Sequence, residues 1–349
     1  MKKVTVLVLV LFAISILVPC VSFGEGFREF TDDCGRTVNI PEEISAIAAT
    51  GSLSQLYITP LCGEILTGVS SSVPSDVLKY VGAYLGELPV LGQLYGGKGT
   101  MNLEALLAAA PQLVIDVGSG KDSLASDLDM LSAQTGIPFV HIDAGVETAP
   151  EAYRRLGELI GWTERAEQLA SWCEKYYAEV LEIMENVDAD GARKSLLYCL
   201  GDKGQNVLAE KSYHAETLAL VADNAAKLDN AVSSGLGNEA DMEQILLWNP
   251  DVLIFAPDSC YDSAVVDDLW QQLDAVREGR CYETPCGPYG WLASPPSVQR
   301  YLGLIWLADL LYPEYCTYDL KEAVTEYYSL FYGYALSNAE YEELMKNAG

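Results

Sequence analysis

The chain has 349 residues, half of them hydrophobic and a fifth charged, so it can bury a large core and is long enough for two domains. Its 50 acidic and 21 basic residues give a formal net charge of -29. This surplus of negative charge argues against nucleic acids and anionic membrane surfaces as partners, and self-repulsion favours a monomer.

Residues 1–24 have the pattern of an export signal. Two lysines precede an apolar run over residues 4–18, which is too short for a membrane anchor and has a cleavable flank. Small residues at the two positions that a signal peptidase reads, Ser22 and Gly24, predict cleavage after Gly24. Lipidation of Cys20 is the less favoured alternative, because a proline precedes that cysteine. Either route predicts an exported protein, periplasmic or held at the cell surface.

The segment 25–162 alternates strands and helices, which predicts a largely parallel sheet with helices on its faces. Turn residues, caps and prolines set the boundaries of the elements. The predicted elements are a hairpin leading into a buried strand at 44–49, a helix at 52–63, a strand at 64–72, a glycine-rich loop at 92–100, a helix at 103–109, a strand at 113–117, a helix at 125–135 and a strand at 138–143.

Residues 148–187 differ from the rest, because they keep helical apolar spacing for nearly forty residues and break only around Gly161. We predict a rigid helical connector over 163–187 that crosses a domain boundary. A long surface helix is the alternative. Beyond it, 188–349 returns to strands and helices, with a strand at 194–200, helices at 214–224, 242–248 and 298–311, and a C-terminal helical segment.

Two stretches about 140 residues apart repeat one pattern: NLEALLAAAPQLVI at 102–115 and DMEQILLWNPDVLI at 241–254. Each has a polar cap, a glutamate, an apolar run, a proline and a hydrophobic strand. The fold class is therefore α/β, with two Rossmann-like lobes that share one plan. Glu104 and Glu243 fall in the first helical turn, where the helix dipole favours a negative charge by about 0.3 to 1 kcal/mol.

Of the nine cysteines, all but Cys20 lie beyond the signal. Their even number in an exported chain is compatible with disulfides, although the sequence does not choose among the pairings. Cys281 and Cys286 are the one pair close enough for a local prediction. A small loop staple and two buried free thiols fit the sequence equally well.

Four segments together resemble the class III solute-binding proteins of ABC importers, which are receptors for iron–siderophore complexes, haem and cobalamin. They are TDDCGRTVNIP, GGKGTMNLEALLAAAPQLVI, DMEQILLWNPDVLIF and PYGWLASPPSVQRYLGLIWLADLLYPE, with one long helix between the halves. The resemblance covers about residues 30–334. It implies a bilobal receptor whose partners are an ABC permease and its ATPase. It also implies docking through one acidic residue on each lobe, at positions that match Glu104 and Glu243.

The ligand is expected in the cleft, outside the carboxyl ends of the strands. Aromatic walls suit a bulky, partly apolar chelate, and a cation could hold carboxylates, catecholates or phosphate. An ordinary half-buried role for each aromatic and an internal salt bridge for Arg300 are the alternatives. The resemblance implies an aromatic–acid–arginine triplet where this chain has Leu292-Ala293-Ser294, which argues against an anionic siderophore. The predicted ligand-binding residues are Tyr95, Lys98, Tyr213, His214, Tyr289, Trp291 and Arg300.

Direct metal capture and catalysis are both disfavoured. The chain has two histidines, His141 and His214, whereas a receptor for a bare zinc or manganese ion would gather several. His141 lies in an apolar strand and is predicted to be a satisfied core residue. The sequence GSGK at 118–121 lacks the glycine and the hydroxyl residue of a phosphate loop, and no GxSxG elbow is present. We therefore predict no cofactor, no protein-bound metal and no enzyme activity. A receptor that senses a non-metal solute and an exported hydrolase remain alternatives.

Overall fold

The computed structural model describes residues 26–95, 100–257, 259–293 and 295–349. The predicted export signal and Lys98 lie outside these ranges. Every helix within them is too short or too polar to cross a lipid bilayer.

The described part of the chain opens with the predicted hairpin, in which β1 (Phe27–Thr31) pairs antiparallel with β2 (Thr37–Pro41). β3 (Ile47–Ala49) and α1 (Ser52–Cys62) follow. The strand predicted at 64–72 is wrong. The chain there forms a 3₁₀ turn at Gly63–Ile65 and then only two single-residue bridges, from Leu66 and Val69. Its apolar residues are buried, but they do not pair along a ladder.

The first lobe is built on a parallel sheet of three strands, which are β3, β4 (Leu113–Gly118) and β5 (Phe139–Asp143). Their order in the sheet is β3-β4-β5. All six residues of β4 are buried, as expected for a parallel strand covered on both faces. The helices of this lobe after α1 are α2 (Ser75–Val81), α3 (Leu103–Ala109) and α4 (Leu124–Thr135).

The predicted long connecting helix is present, and a shorter helix precedes it. α5 (Ala149–Ile160) ends at Gly161, whose φ of 81° is a conformation that favours glycine. α6 (Thr163–Ala189) then runs for 27 residues without a break. It is packed along its length: Trp172 lies 5.1 Å, between ring centroids, from Tyr327 near the C-terminus. The connector is therefore held by tertiary contacts as well as by its own hydrogen bonds.

The second lobe has its own sheet and four helices. The strands are β6 (Ser195–Leu200), β7 (Asn206–Val207), β8 (Asp223–Asn224), β9 (Asn238–Glu239), β10 (Val252–Phe255) and β11 (Cys281–Glu283), and the helices are α7 (Glu216–Val221), α8 (Met242–Trp248), α9 (Tyr261–Ala264) and α10 (Asp274–Arg277). The strand order is β11-β10-β6-β7-β9, and β8 also pairs with β6. β10 is parallel to β6 and to β11, and β6 is parallel to β8, whereas β7 is antiparallel to both β6 and β9. Two separate sheets confirm the predicted bilobal α/β fold.

The repeated motif forms the same structure twice. The side chain of Asn102 caps α3 by accepting from the backbone of the third helical residue, and Asp241 caps α8 in the same way. Both helices have seven residues and end at a left-handed residue, Ala110 (φ 48°) or Asn249 (φ 37°). The proline and the parallel strand then follow, so the bounds predicted for these helices are confirmed.

The C-terminal segment contacts both lobes. It consists of α11 (Arg300–Leu311), α12 (Leu320–Tyr332) and α13 (Asn338–Leu344). The ring of Tyr80, on α2 of the first lobe, lies 5.8 Å from that of Tyr328 and 4.7 Å from that of Tyr334. The range 188–349, predicted as the second lobe with C-terminal helices, therefore includes a segment that also contacts the first lobe.

The predicted staple between Cys281 and Cys286 is wrong, because no bond joins them. Cys281 is buried at the amino end of β11, and Cys286 is exposed beyond its carboxyl end. An extended strand advances about 3.3 Å per residue, which carries the two sulfur atoms apart.

Candidate ligand-binding site

A cavity of about 360 Å³ opens at the carboxyl edge of the second sheet, where a ligand of an open α/β lobe is expected. The ends of β6 and β10 supply Leu200, Gly201, Ala256 and Pro257. Its rim includes Leu236, whose side chain is 79% exposed. Among the described lining residues, none carries a charged side chain. The cavity therefore offers apolar contact and neutral hydrogen-bonding groups.

His214 lies behind the rim of this cavity. Its Nδ1 is 3.0 Å from the carbonyl oxygen of Ala293, which can only accept, so Nδ1 carries a proton. The ring also lies against Gly235, where an added Cβ would stand 2.9 Å from the imidazole. A side chain at position 235 would push the imidazole out of this place, and Gly235 and Ala293 both line the cavity.

Tyr213 bridges the two lobes. Its hydroxyl donates to the carbonyl oxygen of Ala144, in the loop after β5, at 3.2 Å. The guanidinium carbon of Arg300 lies 4.8 Å from the centre of the Tyr213 ring. Burial raises the pKa of Tyr213 above its usual value, so the hydroxyl stays protonated and can donate this bond at neutral pH.

Arg300 is buried and makes an internal ion pair. Its Nη1 lies 2.8 Å from Oε2 of Glu216, and the residue has no exposed surface. The other oxygen of Glu216 accepts from the backbone N–H of Val146, in the first lobe, at 3.0 Å. This outcome matches the salt-bridge alternative for Arg300. Sequence analysis missed Glu216, since nothing local marks a glutamate in a first helical turn as the partner of a distant arginine.

The other predicted aromatic residues occupy different surroundings. Tyr95 is half-buried and its hydroxyl donates to Asp127. Lys121 Nζ lies over its ring, 3.9 Å from the ring centre. Tyr289 is also half-buried, and burial raises its pKa to about 12. Trp291 is fully buried, so a ligand would have no direct access to it in this conformation. The structure brings Tyr213, His214 and Arg300 together near the cavity, and Tyr95 lies on the first lobe.

His141 is a satisfied core residue, as predicted. Its Nδ1 lies 2.8 Å from Oδ2 of Asp116, and Thr50 donates to the other oxygen of that carboxylate. In the described ranges, no group of three or more histidine, cysteine, aspartate or glutamate side chains is arranged to hold a metal ion.

Glu104 and Glu243 are both exposed, in the first turns of α3 and α8. Each helix also exposes a leucine about one turn further on, Leu107 at 49% and Leu247 at 79%. Residues three or four apart share a helix face, so each lobe presents an acidic and an apolar side chain side by side.

Comparison with known proteins agrees with this architecture. The model of the periplasmic binding protein family matches residues 72–286. An ABC transporter solute-binding protein from Sulfurospirillum deleyianum is 30% identical over 91% of this chain and 99% of that chain, with a TM-score of 0.83. A periplasmic solute-binding protein from Veillonella parvula is 24% identical over 93% of this chain and 98% of that chain, with a TM-score of 0.77.

The molybdate-bound periplasmic protein MolA of Haemophilus influenzae is 19% identical over 89% of this chain and 99% of that chain, with a TM-score of 0.69. It and the Veillonella protein show the fold alone. Comparison with curated proteins finds no match. The family model and the Sulfurospirillum relative place the chain in the class III periplasmic binding proteins, as an extracytoplasmic solute-binding component of an ABC transporter.

Proposed function

We propose that the protein captures a metal chelate of the iron–siderophore, haem or cobalamin type between its lobes and delivers it to a permease. The observation that carries this proposal is the cavity at the edge of the second sheet, whose described lining has no charged side chain. His214 contacts its lining residue Ala293, and the neighbouring Tyr213 binds Ala144 of the first lobe. A chelate already satisfies its metal, so it needs shape and neutral contacts from the protein rather than metal ligands. The protein would act by binding alone.

Delivery would use the two exposed glutamates. Glu104 and Glu243 occupy equivalent positions in two copies of one motif, one on each lobe. A permease with two-fold symmetry presents the same surface twice, and a repeated acid on the binding protein suits such a partner. The ATPase of the transporter would then drive release and import.

Ligand capture can be tested by quenching of tryptophan fluorescence. The purified protein would be titrated with a ferric hydroxamate, a ferric catecholate, haem and cobalamin at one salt concentration. Saturable quenching by at least one of them at micromolar or lower concentration is expected. If none binds and a metal-free solute binds tightly, the chelate assignment is wrong.

The alternative is a receptor that senses a non-metal solute. A cavity whose described lining has no charged side chain would suit a small organic ligand equally well. Genes for a permease and an ATPase beside this one would favour transport, and an adjacent histidine kinase would favour sensing.

A further inference from the structure

Glu216 is the more exposed member of its ion pair with Arg300. The Glu216 side chain is 30% exposed, whereas that of Arg300 is 1% exposed. Both terminal nitrogens of the guanidinium are occupied: Nη1 binds Glu216 and the carbonyl oxygen of Tyr213, and Nη2 binds the Tyr213 hydroxyl at 3.3 Å. The Nε atom is buried and has no hydrogen-bond partner among the described residues. The protein therefore supplies a counter-charge for Arg300 at its terminal nitrogens.

An anionic ligand could pair with the terminal nitrogens of Arg300 only by displacing Glu216. The displaced carboxylate would lose its ion pair and its hydrogen bond from Val146. Truncating or exchanging one member of a buried ion pair is costly because it leaves a charge in a poorly solvated place. The internal pair thus competes directly with any carboxylate, catecholate or phosphate.

The described lining of the cavity offers an anion no cation. The polar side chains on its described lining include the amide of Asn206 and the hydroxyl of Ser259, which are neutral. The Asn206 amide already donates to the carbonyl oxygen of Leu236, at 3.2 Å. A desolvated anion here would lose its hydration without gaining a cation.

We infer that the site selects ligands without net negative charge, and that Glu216 sets this selectivity by occupying the place beside Arg300 that a ligand anion would take. The inference rests on the proposed function and narrows it to neutral chelates or neutral solutes.

The first test compares two ferric chelates of similar size at constant ionic strength, a neutral tris-hydroxamate and a trianionic tris-catecholate, by calorimetric titration. The unaltered protein is expected to bind the neutral chelate at least about tenfold more tightly. Tighter binding of the tris-catecholate would overturn the charge inference and leave chelate capture standing. Binding of neither chelate, with tight binding of an uncharged metal-free solute, would end the chelate proposal and support the charge inference.

The second test is Glu216→Gln. Glutamine keeps an oxygen that can accept from Val146 but removes the charge that neutralises Arg300. Affinity for the tris-catecholate is expected to rise by about tenfold, the size of one charge-assisted contact, and the gain should disappear in E216Q/R300M. The control Glu185→Gln removes an exposed charge on α6 and should change neither affinity. A folded E216Q protein with unchanged preference would contradict the role of Glu216.

Discussion

The hydroxyl of Tyr301, at the start of α11, donates a buried hydrogen bond to the carbonyl oxygen of Val146 at 2.5 Å. The N–H of the same Val146 binds Glu216. Both backbone groups of one residue after β5 are therefore held by side chains that come from beyond α6. The lobes are joined by these contacts as well as by the connecting helices.

Tyr301→Phe should weaken this junction. Removing the hydroxyl leaves the buried carbonyl oxygen of Val146 without its partner, which costs about 1 to 3 kcal/mol of the free energy of unfolding. The matched control is Tyr315→Phe, because Tyr315 donates to Asp190 on the surface. Urea unfolding of the control should show a loss of less than about 0.5 kcal/mol in the free energy of unfolding. Equal losses in the two variants would mean that the buried hydrogen bond of Tyr301 contributes no more to stability than the exposed one of Tyr315.

Replacing Glu216 and replacing Arg300 should lower the free energy of unfolding by different amounts. E216Q leaves Arg300 buried without a counter-charge, for which a loss of about 3 kcal/mol in the free energy of unfolding is expected. R300M leaves Glu216, which reaches water, so it should lose less. Urea unfolding of both variants and of the double variant measures the difference. A larger loss for R300M would show that Glu216 is the poorly solvated partner.

Acid should loosen the first turn of α13, where Glu340 and Ser337 form a capping box. The hydrogen bond from Tyr334, with bonds from Ser337, lowers the pKa of Glu340 to about 2 from its usual value of 4.5. Because the folded-state pKa is depressed, this stabilisation is present above pH 4.5 and is lost as the pH falls towards 2. Glu340→Gln should flatten the stability curve in that window. Glu185→Gln should leave it unchanged, and identical curves for all three proteins would refute the assignment.

Charge reversal should separate docking from ligand capture. E104K and E243K should leave the affinity for ligand in solution unchanged, because both residues lie in first turns away from the cavity. The double variant E104K/E243K should abolish uptake through the reconstituted transporter. Glu151→Lys and Glu164→Lys reverse first-turn glutamates on α5 and α6 and serve as controls. Loss of ligand affinity in E104K or E243K would mean that these residues have been misassigned.

Ligand binding should move the lobes only modestly. α6 is continuous, and the bonds of Tyr213, Glu216 and Tyr301 already join the lobes. Small-angle scattering with and without a bound chelate should therefore give nearly the same radius of gyration. A large compaction on binding would contradict this expectation.

Local signals explain what the sequence predicts well. The helix at 103–109 and the strand at 252–255 follow from a polar cap, an apolar run and a proline, all within a few residues. The continuity of α6 follows from apolar spacing without turn residues. The burial of His141 follows from its place in an apolar strand, although its partner Asp116 could not be named from the sequence.

Long-range contacts explain what the sequence predicts poorly. The apolar segment at 64–72 has strand composition but lacks a neighbour to pair with along its length. Glu216 becomes important only because α11 brings Arg300 beside it from 84 residues away. The return of α12 to the first lobe likewise depends on packing between residues distant in sequence.

The central claim is that this protein carries a solute between its lobes. Native mass spectrometry of the protein purified gently from its own source tests that claim most directly. We expect a folded monomer with one bound small molecule whose mass and isotope pattern match a metal chelate without net negative charge. A bound anionic chelate would contradict the selectivity, and a metal-free ligand would contradict the assignment to chelate transport.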